Sequence, residues 1–294
     1  MLWLRPITEV ALESGVPDGV IYDFGMNNGD DAEYYLLKGS KVVGVDANPA
    51  LCRQVEQRFA AEIGEGRLVV LNCALPGGEA GATDFFIHKE NDVLSQLPVP
   101  DSMGEFERIR VPCRDPVEII REHGEPRYIK VDLEGLDAEI LRAVFAAGIR
   151  PPEISAESHT IDVFACLVEA GYKSFNLVDG ESVPALYRDA RIETPDGAAV
   201  FRFKPHSAGP FGVDIRSDWQ DPESFFHLLA TVGLGWKDIH ASNLIPAAPP
   251  PRLRTVLRRE AASLAGRLAK GVGSIAVSIV SKRRHYRQPE SKRR

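Results

Sequence analysis

The sequence has few cysteines, no long hydrophobic run and no recognisable targeting segment. Its four cysteines lie far apart and form no C-x-x-C pair, which argues against a zinc motif and a disulfide framework. The apolar stretch 273–280 is far shorter than the ~20 residues that cross a bilayer. The first residues lack the basic, apolar and small-residue regions of a signal peptide. These absences predict a globular protein in a reducing cytoplasm.

The net charge of −7 is distributed unevenly along the chain. Residues 250–294 contain thirteen lysines and arginines but only two glutamates, so the rest of the chain is strongly acidic. An acidic body argues against nucleic acid as a partner. For the basic tail two predictions stand side by side: peripheral contact with an anionic membrane or an acidic partner, and a disordered tail that aids solubility.

Composition along the 294 residues predicts one α/β domain with additions. Residues 1–18 form a short lead-in, and 19–204 form the main domain. Within that domain, 76–112 breaks the α/β alternation and is predicted to be an inserted β excursion. Residues 205–245 are predicted to be a surface extension or a lid, and a proline-rich linker opens the basic tail at 246–294.

The most informative stretch lies near the start of the main domain. Val20–Phe24 is an apolar run that ends in a glycine turn, Gly25 to Gly29, and a helical stretch follows it. A second apolar run, 41–45, closes with Asp46. Glycine lets the backbone turn sharply and approach a ligand, because no Cβ stands in the way. Strand, turn, helix, strand and acid predict the first half of a nucleotide-binding sheet.

The glycine turn favours one nucleoside cofactor over another. Asn27 and Asp30 occupy the second and third glycine positions of the dinucleotide fingerprint, and Asp30 and Asp31 would repel a pyrophosphate at the helix start. S-adenosylmethionine carries ribose and adenine but no phosphate, and its ammonium and sulfonium are positive. We therefore expect S-adenosylmethionine, with Asp46 holding the ribose diol.

The remaining chain continues the alternation of strands and helices. Residues 127–131 predict a strand that leads into Asp132-Leu-Glu-Gly135, and 153–156 predict the next strand, which leads into Glu157-Ser-His-Thr160. Residues 172–178 and 198–203 are predicted to close the sheet as an antiparallel pair. The expected fold is thus a Rossmann-like, doubly wound, mostly parallel sheet of the class I methyltransferase type, finished by a C-terminal antiparallel hairpin.

Four strings carry a family resemblance: IYDFGMNNG, VVGVDANP, NCAL and YIKVDLEG. In this order and spacing they resemble the FkbM-type methyltransferases, S-adenosylmethionine-dependent enzymes that often O-methylate sugars or other natural-product hydroxyls. The resemblance covers about residues 19–179, and Met26 and the acids Asp30 and Asp31 depart from the usual pattern. The site residues that it implies fall into three groups: Asp23, Gly25, Asn27 and Gly29 at the amino-acid end of the cofactor; Asp46 at the ribose and Cys73 and Ala74 near the adenine; and Asp132 and Glu134 near the methyl group.

Methyl transfer to a hydroxyl needs a group that accepts the hydroxyl proton. His159 is the only histidine at a predicted strand end, so it is the candidate general base, beside Asp132 and Glu134. His240, flanked by Trp236 and Asp238, is the second candidate. An alternative is a divalent metal held by Asp132, Glu134 and His159, although no spacing in the sequence is diagnostic of one.

The predicted function is O-methylation of a sugar or natural-product hydroxyl, and the acceptor class rests on the resemblance alone. Two alternatives remain open at this point. One is a non-catalytic partner protein that binds the cofactor. The other is an NAD-linked oxidoreductase, which the absent second and third glycines disfavour.

Overall fold

The computed structural model describes residues 19–76, 81–91 and 94–249. The chain divides after Ala248, and the fold described here is that of the first unit. The predictions for 1–18 and for the basic tail lie outside the described residues and stay predictions. No helix within the described ranges is long and apolar enough to cross a membrane.

The described part of the chain contains eleven strands and eight helices. The strands are β1 Val20–Phe24, β2 Lys41–Asp46, β3 Leu68–Asn72, β4 Gly81–His88, β5 Phe106–Cys113, β6 Pro126–Val131, β7 Glu153–Ser158, β8 Ser174–Asp179, β9 Ala190–Thr194, β10 Gly197–Phe201 and β11 Gly235–Ser242. The helices are α1 Asp30–Leu37, α2 Pro49–Arg58, α3 Ala60–Gly64, α4 Pro116–His123, α5 Asp137–Ala146, α6 Ile161–Glu169, α7 Val183–Leu186 and α8 Pro222–Val232.

Seven strands form the central sheet in the order β3-β2-β1-β6-β7-β11-β8. The pairs from β3 to β7 are parallel, and β11 is antiparallel to both of its neighbours. Strand order reverses between β1 and β6, which is the switch point where open α/β sheets bind ligands. Apolar cores cover both faces of the sheet. The predicted doubly wound, mostly parallel fold is confirmed.

Helix starts follow a local rule that the sequence shows directly. Asn48, Asp115 and Asp221 each accept a hydrogen bond from a backbone N–H of the following first turn, and each precedes a proline at the first helical position. The side chain replaces a partner that the first turn lacks, and proline has no N–H to leave unpaired. The predicted start at Asn48-Pro49 is confirmed.

The last two strands of the sheet differ from the prediction. Residues 198–203 do not pair with β8; β10 folds back on β9 through the two-residue turn Pro195-Asp196 as a separate hairpin. The partner of β8 is β11, which lies inside the segment 205–245 that was predicted to be an extension or a lid. The sequence does not indicate a central strand at β11, because three of its buried residues are polar: Asp238, His240 and Ser242. Polar residues at these positions are more typical of a surface segment. The sheet therefore continues past the predicted domain boundary at 204.

The segment predicted to be a β insertion contains an antiparallel pair, β4 and β5. Phe85 and Val111 from this pair form a small apolar core with Ala47 and Ala74. The insertion thus packs against the carboxyl ends of β2 and β3, beside the switch point.

Candidate active site

A cleft of about 750 Å³ opens at the carboxyl ends of the central strands. Its lining comes from the turn after β1, the ends of β2 and β3, the β insertion, the loops after β6 and β7, and the start of β11. Most of the predicted site residues meet there: Gly25, Asn27, Asp46, Cys73, Ala74, Asp132, Glu134 and His159. Two predicted cofactor residues, Asp23 and Gly29, do not line it.

The glycine turn after β1 is shaped by contacts within the protein. Gly25 has φ +88°, and a Cβ there would overlap the backbone carbonyl oxygen of Asp132. Gly29 has φ +78°, and a Cβ there would lie 3.0 Å from the Phe59 ring. Gly25 thus lets the turn approach the loop after β6, while Gly29 serves helix packing. Met26 is accommodated because the facing residue of β2 is Gly44, where a Cβ would overlap the Met26 sulfur.

Asp46, predicted to hold the ribose, lies where the end of β2 meets the glycine turn. Its carboxylate accepts hydrogen bonds from the backbone N–H groups of Asn27 at 2.8 Å and Asn48 at 2.7 Å. Burial raises the pKa of Asp46 to about 6, although both hydrogen bonds favour the ionised form. Each carboxylate oxygen keeps a lone pair for a further donor, so the geometry suits a diol.

A buried lysine, Lys130, lies at the base of the cleft. It is not among the site residues predicted from the sequence. The Lys130 ammonium is 3.3 Å from carboxylate oxygens of both Asp23 and Asp132 and 3.7 Å from Asp31, and it donates to the Gly25 carbonyl at 3.1 Å. Burial lowers the pKa of Lys130, but the carboxylates raise it more, to well above its ordinary value. A lysine within the apolar run YIKV was the available signal.

The carboxylates around Lys130 have different surroundings. Asp23 is fully buried, and burial raises its pKa to about 7. Asp31 also accepts from the Ser207 hydroxyl and from the Ala208 N–H, which anchors the segment after β10 to the cleft. Asp30 is paired with Arg58 and Lys204, so the two acids at the start of α1 are both matched by cations.

The loops after β6 and β7 bring a second polar group to the mouth of the cleft. His159 Nε2 is 2.8 Å from a carboxylate oxygen of Glu157 and 3.5 Å from one of Glu134. Hydrogen bonds to Glu134 and then Glu157 raise the pKa of His159 to about 11. In this pairing His159 is protonated and bound to two carboxylates. It can accept a proton only after a ligand has separated it from them and it has released the proton that it carries.

The other sequence predictions for this side of the cleft come out differently. Asp132 faces Lys130 and is not one of the three grouped ligands, so the predicted metal set Asp132, Glu134 and His159 is not the one that the fold assembles. The backbone N–H groups of Leu133 and Gly135, in the loop before α5, donate to the Asp137 carboxylate. His240 is fully buried, where burial lowers its pKa to about 3, and it does not line the cleft.

Aromatic rings form one rim of the cleft beside these groups. The rings of His206 and Trp236 stack with centroids 5.3 Å apart at an interplanar angle of 21°, and both residues line the cleft. Trp236 is 43% exposed, so much of its indole surface is open to a ligand. Both residues come from the segment predicted as an extension or a lid, which therefore contributes to the site.

Site and fold together define a class of protein. A cleft at the switch point, with an acid at the end of β2 and three carboxylates around one buried lysine, suits S-adenosylmethionine and its positive sulfonium. The family model for the methyltransferase FkbM domain matches residues 23–178, more than half of the chain. The protein belongs to the FkbM methyltransferase family, whose members are S-adenosylmethionine-dependent, and the predicted resemblance is confirmed.

Solved structures with a similar fold are distant in sequence. A precorrin-6y C5,15-methyltransferase from Geobacter metallireducens is 11% identical, with 76% of this chain and 78% of that chain covered and a TM-score of 0.34. An S-adenosylmethionine-dependent O-methyltransferase from Thermotoga maritima is 10% identical, with 82% and 66% covered and a TM-score of 0.36. A magnesium protoporphyrin IX methyltransferase from Synechocystis is also 10% identical, with 58% and 68% covered and a TM-score of 0.31. No curated protein matches the chain.

Asp46→Ala is expected to weaken S-adenosylmethionine binding by roughly 2–3 kcal/mol, the size of two hydrogen bonds to a charged group. This corresponds to a roughly 30- to 150-fold higher Kd by calorimetry. Because the pKa of Asp46 is about 6, wild-type affinity should also fall as the pH drops below that value, whereas the affinity of Asp46→Ala should not. Unchanged affinity in a folded Asp46→Ala variant would remove the ribose assignment.

Proposed function

We propose that this protein transfers the methyl group of S-adenosylmethionine to a hydroxyl oxygen of a small ring-bearing acceptor, such as a sugar or another natural product. The observation that carries the proposal is the division of the cleft. The turn after β1 and the ends of β2 and β3 form the cofactor side. Glu134, Glu157, His159 and the His206–Trp236 pair form a polar and aromatic side next to it.

The reaction is an in-line displacement. The acceptor oxygen attacks the methyl carbon, the carbon–sulfur bond breaks, and S-adenosylhomocysteine leaves as the hydroxyl proton passes to the protein. Glu134, Glu157 and His159 orient the hydroxyl. Acceptor binding opens their mutual pairing, His159 then releases its proton to solvent, and its free imidazole nitrogen takes the hydroxyl proton. Asp132 stays beside the cofactor, where its negative charge stabilises the sulfonium end.

Isotope transfer tests the reaction and the acceptor class together. Protein and S-adenosylmethionine with a labelled methyl group are added to an extract of the host, and mass spectrometry finds the metabolite or glycan that gains the label. We expect a labelled methyl ether and an equal amount of S-adenosylhomocysteine. Label on nitrogen or carbon would contradict O-methylation. Cofactor binding without S-adenosylhomocysteine formation in any extract would favour the non-catalytic alternative.

Trp236→Ala tests the aromatic rim. Loss of one stacking surface removes about 1.4 kcal/mol, within the range for aromatic contacts, so we expect about a tenfold higher KM for the acceptor. The Kd of S-adenosylmethionine should stay unchanged, because Trp236 lies on the acceptor side. Phe226→Ala is the matched control, since this ring is 50% exposed on α8 and does not line the cleft. An unchanged KM in Trp236→Ala would exclude stacking of the acceptor on this ring.

A further inference from the structure

The three side chains at the mouth of the cleft have the composition of a ligand set for a divalent cation. Glu134 and Glu157 supply carboxylate oxygens and His159 supplies Nε2, and these three atoms all lie within 4.8 Å of one another. Oxygen ligands with one imidazole suit cations such as Mg²⁺ and Mn²⁺. Glu157 lies in β7, His159 directly follows this strand, and Glu134 lies in the loop after the adjacent parallel strand β6.

The spacing of the ligand atoms agrees with octahedral coordination. Bonds of about 2.1 Å at right angles place neighbouring ligand atoms about 3.0 Å apart. His159 Nε2 lies 2.8 Å and 3.5 Å from its two carboxylate partners, which brackets that value. A cation could therefore replace the imidazole proton among these atoms with only small side-chain movements.

A separate observation concerns a buried carboxylate on the neighbouring strand. Asp238 of β11 is paired in register with Glu157 of β7, and side chains of such cross-strand partners project to the same face. Asp238 is 3% exposed, and its Oδ1 has no hydrogen-bond partner in the part of the chain that the structure describes. The Lys130 ammonium attracts Asp238, but its ion pairs are with Asp23, Asp31 and Asp132. A further cation near Asp238 would therefore lower the cost of this unpartnered buried oxygen.

From these observations we propose that Glu134, Glu157 and His159 form a binding site for one divalent cation of the Mg²⁺ or Mn²⁺ type, with Asp238 adding negative charge behind Glu157. Binding of the cation does not depend on methyl transfer. Its chemical role rests on the proposed function: there it would replace the three side chains in holding the acceptor hydroxyl, and it would favour loss of the hydroxyl proton to solvent.

Titration of the full-length protein with Mn²⁺ tests the site directly, followed by calorimetry and by the electron paramagnetic resonance signal of free Mn²⁺. We expect one bound Mn²⁺ per chain, displaced by excess Mg²⁺, and at least about tenfold weaker binding in Glu134→Gln and in Glu157→Gln. Glu118→Gln, an exposed change of the same kind on α4, is the matched control and should bind Mn²⁺ like the wild type. Circular dichroism and the Kd of S-adenosylmethionine report whether each variant is folded.

Two results would overturn the proposal. One is a wild-type protein that binds no Mn²⁺ at millimolar concentration. The other is a pair of folded variants, Glu134→Gln and Glu157→Gln, whose Mn²⁺ affinity equals that of Glu118→Gln. In either case the two glutamates and His159 would form only a cluster of ion pairs, without a cation site. Neither result bears on the proposed function, because binding of S-adenosylmethionine and transfer of its methyl group are measured separately.

Discussion

Replacement of Lys130 with methionine is expected to lower the free energy of unfolding by about 3–5 kcal/mol at pH 8, the usual cost of removing one partner from a buried ion pair. The ammonium of Lys130 lies among the carboxylates of Asp23, Asp31 and Asp132 and is 3% exposed. Without it, buried negative charges face each other with no cation between them. Urea unfolding monitored by circular dichroism measures the loss.

The loss should depend on pH in a defined direction. Burial already raises the pKa of Asp23 to about 7 and raises that of Asp31, and removal of Lys130 raises both further. A group whose pKa is higher in the folded state stabilises that state below its unfolded pKa, and this contribution is lost as the pH rises through the folded pKa. The variant should therefore be less destabilised at pH 5 than at pH 8.

An exposed cation provides the control for Lys130. Arg142 pairs with Asp162 at 3.0 Å, and both side chains are more than half exposed. Arg142→Met should therefore cost no more than about 1 kcal/mol, as for other exposed ion pairs. If Lys130→Met were no more damaging than Arg142→Met, the buried lysine would not be holding the floor of the cleft together.

His159→Ala is expected to lower turnover by roughly 100-fold or more while leaving the affinity for S-adenosylmethionine within about twofold of the wild type. His159 pairs with Glu157 and Glu134 on the acceptor side, whereas Asp46 is held by the backbone N–H groups of Asn27 and Asn48. Its loss should thus affect proton removal and acceptor positioning, but not cofactor binding. Single-turnover rates and calorimetry separate the two effects.

Further measurements decide how His159 acts. His227→Ala, an exposed change on α8, should retain wild-type turnover. Activity that EDTA abolishes and Mg²⁺ restores would assign His159 as a cation ligand, whereas activity that EDTA leaves intact would assign proton acceptance to the side chains themselves. Near-normal turnover in His159→Ala would reject both roles. His240 is not a replacement, because it is buried in β11 away from the cleft lining.

Much of the cofactor side was predictable from local sequence. Gly25, Asn27 and Asp46 all lie within one strand–turn–helix–strand unit, so their proximity follows from short chain segments with fixed geometry. The two glycines were predicted to admit a ligand, yet each is needed where another part of the chain comes close: Asp132 for Gly25, and Phe59 for Gly29. The sharp turn at these glycines was predictable from the sequence. Which atom of the protein approaches each glycine was not.

The acceptor side depended on pairings between distant parts of the chain. β11 lies between β7 and β8 in the sheet, although about fifty residues of chain separate it from β8. Its buried polar residues Asp238 and His240 interrupt the apolar pattern that is expected of a central strand. Without that placement, Trp236 could not be assigned to the cleft, nor Asp238 to the neighbourhood of Glu157.

The sequence by itself determined the sheet from β1 to β7, the insertion, the acid at the end of β2 and the family, because these rest on local periodicity, turn residues and contiguous motifs. Only the tertiary structure decided the position of β11, the buried environment of Lys130 and the grouping of Glu134 and Glu157 around His159. Each of these depends on which strands become neighbours. The order of the strands depends on the total apolar surface that the whole domain buries, so it cannot be predicted from any single segment.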